Sequence, residues 1–174
     1  KGHPQLEHFK FLKAHCKTSP KRTMPGPSTF HCRQGRALVS NYVYPTYDAF
    51  FDDVSATWRK AIRAFYDAGC RYLQLDDTAW AMMCDPKERA QSKARGDDPD
   101  ALPALYAKVT TDELSAKPAD TSITMHSFPG NFRSTWIAQG RYEFIAEQLT
   151  GDTTLNSSSR AYYPEPDAVL ITPR

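Results

Sequence analysis

Two short stretches carry the side chains best suited to chemistry. One is RYLQLDD, Arg71 to Asp77, and the other is SITMHS, Ser122 to Ser127. Alternate residues of an extended strand face opposite sides. The first stretch therefore sets Leu73, Leu75 and Asp77 on one face and Tyr72, Gln74 and Asp76 on the other. The second sets Ile123 and Met125 against Ser122, Thr124 and His126. An aspartate and a histidine at the carboxyl ends of neighbouring parallel strands can hold a metal ion or a substrate amine, or move a proton. Asp76 and Asp77 are not an acid/base couple with each other, because adjacent strand side chains diverge; one of the two is expected to be structural. Blander roles suit the same residues. A strand-end histidine often anchors a neighbouring loop, an aspartate there often caps the next helix, and Tyr72 with Gln74 makes a satisfied core pair.

Those strands need helices to press their leucines inward. PQLEHFKFLKAHC, from Pro4, places Leu6, Phe9 and Leu12 at helical spacing behind a proline suited to a first turn. A short strand is expected around Arg22 to Met24, stopped by the Pro-Gly-Pro that follows. Asp48 reads as the cap of a long helix through Phe50, Val54, Trp58, Ile62 and Phe65, ending at Gly69. PKERAQSKARGDDPD reads as a polar loop or short helix. Pro103 to Ala116 reads as an amphipathic helix with Leu105, Tyr106, Val109 and Leu114, and RYEFIAEQL as another through Tyr142, Ile145 and Leu149. Strands alternating with helices of this length predict βαβ crossovers, a parallel sheet and helices outside it. From Thr150 the chain turns polar, with AVLITPR as one last expected strand.

Composition bounds the rest. The chain has 174 residues, the size of one domain, with 40% hydrophobic and 24% charged residues and a net charge of +2. No apolar run nears the roughly 18 residues that span a bilayer. Lys17, Lys21, Arg22, Arg33, Arg36 and the stretch Lys87 to Arg95 are interleaved with Pro, Asp and Glu, which reads as solvated surface, so neither nucleic acid nor a membrane is an expected partner. Cys16, Cys32, Cys70 and Cys84 lack CxxC spacing and are expected to be free thiols in a reducing cytosol. Cys70, beside Gly69, is expected to be a small buried apolar residue. KGHPQLEHFK has no apolar leader, and without an initiator Met the natural start is expected upstream.

Several segments carry a family resemblance: EHFKFLKAHCKTSPKRTMPGPSTFHCRQG, FYDAGCRYLQLDDTAWAMMCDP, ARGDDPDALPALY and TMHSFPGNFRSTWIAQGRYEFIAEQL. From about Glu7 to Leu149 the sequence resembles the cobalamin-independent methionine synthases, in particular their short single-barrel members. The resemblance implies a (β/α)8 barrel, residues 1–149 forming about half to two-thirds of it and 150–174 a divergent tail. It also implies methyl transfer to a thiol such as homocysteine, with zinc as thiol activator in the full enzymes. In that family the zinc ligands begin with a His-x-Cys pair. His126 falls on the His and Phe128 on the Cys, the Glu-bearing segment is not recognisable, and Glu165 is the one late acidic candidate. Asp76 matches the acid that contacts the substrate amine, and Asp77 the acidic position beside it. GPSTFHCR matches the GP-x-T turn. Arg33 stands where the long enzymes place a tryptophan that packs on folate, so folate stacking is not expected.

The expected sites are thus Asp76 and Asp77 as catalytic residues, Asp76, Gln74, Arg33, Asn131 and Arg133 as contacts to a small thiol substrate, and His126 as a metal or substrate contact. A complete eightfold barrel takes about 200 residues or more. Half a barrel leaves open sheet edges, which favours a homodimer. One rival reading is a non-catalytic relative that binds a ligand or pairs with a fuller copy; another keeps the barrel and performs lyase or thiol-adduct chemistry.

Overall fold

The computed structural model describes residues 5–127, 131–132 and 135–151. Helix α1, Leu6–His15, leads through a short turn into strand β1, Lys21–Pro25. The strand stops at Pro25-Gly26-Pro27, where the prolines lack the N–H groups a ladder needs. Two 3₁₀ turns, Pro27–Phe30 and Gly35–Leu38, shape the loop that follows.

Helix α2, Tyr47–Asp67, begins earlier than the sequence suggests. Its cap is Thr46, whose hydroxyl accepts a hydrogen bond from the Ala49 N–H at 3.2 Å, and Asp48 sits in the first turn instead. There its carboxylate still faces the positive end of the helix dipole. Phe51, Val54, Trp58, Ile62 and Phe65 are buried along one stripe, and Phe65 meets Phe9 of α1 edge-on at 6.1 Å between ring centres. Gly69, at φ +91°, supplies the left-handed turn that ends the helix and feeds strand β2, Tyr72–Asp76.

After β2 come helices α3 (Ala79–Met82), α4 (Pro86–Ala94) and α5 (Leu102–Leu114), then strand β3, Ser122–His126. The polar stretch from Pro86 is helical because Asp85 caps it: its carboxylate accepts from the Lys87 N–H at 2.7 Å. Strands β4 (Asn131–Phe132) and β5 (Thr135–Trp136) form an antiparallel pair. The helix expected through Tyr142, Ile145 and Leu149 is divided into a 3₁₀ turn, Tyr142–Phe144, and helix α6, Ala146–Gly151. The strand expected in AVLITPR, and the tail from residue 152, lie outside the described residues.

The three longer strands form one parallel sheet in the order β1-β2-β3, with Pro25, Asp76 and His126 level with one another at its carboxyl end. Met24, Leu73, Leu75, Ile123 and Met125 join α2 and α5 in a single core. The alternation read in the sequence holds on β2, where Leu73 and Leu75 are buried while Tyr72, Gln74 and Asp76 keep partial exposure. On β3 it holds at both ends, but Thr124 is also buried. The result is an α/β fold with helices covering one face of a three-stranded parallel sheet. Among the described residues no helix is long and apolar enough to cross a membrane.

Candidate functional site

Parallel pairing puts Asp76 directly beside His126. Their side chains are hydrogen-bonded, His126 Nδ1 to Asp76 Oδ1, and remain 40% and 46% exposed, so the pair opens to solvent. With Asp76 ionised, the shared proton sits on Nδ1 and Nε2 is the acceptor nitrogen of the ring. That is the tautomer able to take a proton or meet a cation. On the same sheet face the Gln74 side-chain oxygen accepts from Lys21 Nζ at 2.8 Å, and the Lys21 ammonium lies 5.3 Å from the centre of the Tyr72 ring.

Asp77 goes the other way. It is fully buried and accepts a hydrogen bond from the Ser28 hydroxyl, while its backbone N–H donates to the His126 carbonyl at 2.9 Å. Burial is the main cause that pushes its carboxyl up to about 6, with the Ser28 hydroxyl opposing. A Cβ on Gly26 would stand 2.3 Å from an Asp77 carboxyl oxygen, so the backbone of the β1 turn lies directly against this acid. Asp77 thus ties the three strand ends together from beneath and does not share the exposed face of Asp76 and His126.

Arg33 is exposed on the loop after β1, which leaves the same end of the sheet. Asn131 lies in β4. Phe128, Arg133 and Glu165 lie outside the described residues, and with them the position matched to a cysteine ligand. Among the described residues no three His, Cys, Asp or Glu side chains converge as metal donors.

Two groups escaped the sequence reading. His31 is completely buried and meets Tyr47, Tyr106 and Asp97, partners 16, 75 and 66 positions away along the chain. Such a cluster has no local spacing signal. Glu113 is also buried, and neither of its carboxyl oxygens has a hydrogen-bond partner. Its position on the core stripe of α5, one turn after Val109 and Thr110, was the available clue.

The four thiols are free. Burial pushes Cys32 and Cys84 up to about 12 and also raises Cys70, which is buried as expected. Cys16, at the far end of the sheet, is lowered chiefly by the Thr18 hydroxyl beside it, with the Thr18 backbone adding to the effect.

Comparison with known proteins gives this geometry a context. Over 90% of its length the chain matches the crystal structure of a Listeria monocytogenes protein provisionally named a vitamin-B12 independent methionine synthase, with TM-score 0.69 and 34% identity. The fold is methionine-synthase-like. Two Bacillus subtilis proteins, both uncharacterized, are also similar: YxjH at 41% identity over 156 residues and YxjG at 45% over 148. These alignments take in 89% and 84% of this chain. The chain spans only about two fifths of the relatives it matches: 41% of YxjH, 39% of YxjG and 43% of the Listeria chain. No family model matches it.

Proposed function

We propose that the chain is a core segment of a cobalamin-independent methionine-synthase-type (β/α)8 barrel, acting in the cytosol, with His126 and Asp76 as its thiol-substrate site. The reaction class is methyl transfer to the sulfur of homocysteine or a similar amino-acid thiol. The observation that carries this reading is the solvent-open His126–Asp76 hydrogen bond across two parallel strand ends. The likeness to the Listeria structure supports it.

In this reading Asp76 receives the substrate ammonium while its Oδ1 keeps His126 in the Nδ1–H form. Nε2 then takes the proton from the substrate S–H, and the thiolate so formed attacks the methyl carbon as that carbon leaves its donor. Gln74 and Arg33 supply further polar contacts, and Asp77 holds the strand ends in place beneath the pair. Among the described residues zinc, implied by the family resemblance, would find two donor groups at this site, His126 and Asp76, fewer than the four of a tetrahedral ion. The same incompleteness favours a second reading, a relative that binds an amino-acid thiol without transferring a methyl group.

Calorimetry with homocysteine, a methyl-transfer assay and elemental analysis test these readings together. Asp76→Asn is expected to weaken homocysteine binding about tenfold or more, and His126→Ala to lower methyl transfer by about a hundredfold or more. Absence of homocysteine binding overturns the site; binding without transfer selects the second reading. Stoichiometric zinc lost on His126→Ala would replace the proton-transfer role of His126 with a ligand role.

A further inference from the structure

A buried polar cluster lies behind the loop that follows β1, apart from the His126–Asp76 pair. His31 fills its centre, with Nδ1 2.8 Å from the Tyr106 hydroxyl and Nε2 2.8 Å from the Tyr47 hydroxyl. Asp97 completes it: Tyr47 donates to Oδ1, the Ser92 hydroxyl donates to Oδ2 at 3.4 Å, and the Asp97 side chain is 1% exposed. Three rings enclose the imidazole edge-on, Tyr47 at 4.9 Å, Phe51 at 5.5 Å and Tyr106 at 6.0 Å between centres.

Counting protons fixes the arrangement. Tyr47 has one hydroxyl proton and gives it to Asp97, so towards His31 its oxygen can only accept. Nε2 must therefore carry the ring proton. Nδ1 is then bare and accepts the Tyr106 proton. Each hydroxyl and ring proton has one acceptor. A second proton on His31 would point at the Tyr106 oxygen and strand that hydroxyl's own proton in the core. Burial lowers the imidazole and Asp97 opposes, while Arg95 and Arg36 also face it and lower it further.

The cluster grips a specific piece of backbone. Arg95 Nη2 donates to the Cys32 carbonyl at 3.2 Å. Gly35 takes φ +58°, and a Cβ there would lie 2.5 Å from an Asp97 carboxyl oxygen. Arg33 and Gln34 are thus the exposed residues between two fixed points, one on His31–Cys32 and the other on Gly35.

We propose that His31 is a positioning residue: Asp97 sets its tautomer through Tyr47, and the resulting latch holds the β1 loop so that Arg33 stands ready for the carboxylate of an amino-acid thiol. The identity of that anion rests on the function proposed above; the latch itself does not.

Three measurements on the whole chain decide it. In ¹⁵N spectra of histidine side chains, His31 is expected to show a protonated Nε2 and a bare Nδ1, unchanged between about pH 5 and pH 8. Titration across that range, or the opposite tautomer, overturns the latch. Trypsin cleavage after Arg33 is expected to rise about tenfold or more in Tyr106→Phe, which keeps the ring and removes the donor, while cleavage after Arg63 in α2 stays the same. An unchanged rate after Arg33 overturns the latch as well. Arg33→Ala is expected to weaken homocysteine binding several-fold, and adding Tyr106→Phe to it to cost nothing more. Homocysteine affinity indifferent to Arg33→Ala overturns the role of Arg33. Failure of every form to bind homocysteine overturns the site reading instead and leaves the latch to the first two measurements.

Discussion

The carboxyl of Asp77 binds its proton more tightly in the folded chain than in the unfolded one, since burial pushes it from 3.8 to about 6. Its contribution to stability is therefore fully present below about pH 4 and is lost as the pH climbs through about 6, a change of about 2–3 kcal/mol. Asp77→Asn is expected to flatten that part of the pH profile when urea midpoints are compared with the parent protein. Glu113 behaves similarly and more strongly: burial raises it well above the usual carboxyl range, with Asp77 adding to the effect, and its oxygens have no hydrogen bonds to offset the cost. Replacing it with Leu is expected to stabilise the fold by about 1–2 kcal/mol in urea unfolding near neutral pH. Glu113 is buried on α5 and makes no hydrogen bond to the His126–Asp76 pair, so this gain should leave ligand binding there unchanged.

Among the elements, the turn after β1 is a tight joint. Gly26→Ala would drive a methyl group into the Asp77 carboxyl, and a loss of about 2–4 kcal/mol is expected, read as a lower melting temperature. The strands and α2 were legible in the sequence because their apolar residues repeat at periods of two and of three to four, and because Gly69 marks the boundary between them. The same parity placed Asp76 and His126 on one face, and the structure joins these two side chains by a hydrogen bond. Other features were less legible because competing local signals or distant contacts decide them. Thr46 outcompetes Asp48 as a cap through one hydroxyl bond. The run from Tyr142 turns 3₁₀ before α6. The β4–β5 pair depends on two residues per strand, too few to show alternation. His31 escaped because its partners meet it only after α2 and α5 have packed.

At the scale of the whole molecule, the sheet order leaves β1 and β3 each with a strand edge unpaired among the described residues. Unpaired parallel edges carry rows of free N–H and C=O groups that readily recruit another strand. Light scattering is expected to give a mass above that of one 19.7 kDa chain, rising with concentration; a monomer at all concentrations would mean that these edges are covered. The distribution of thiol acidity has a practical side. Cys16 ionises most easily, and it lies at the opposite end of the sheet from His126 and Asp76. A maleimide dye added at neutral pH should therefore mark this one cysteine first, giving a single-colour reporter of tumbling and assembly whose attachment point stays clear of the ligand.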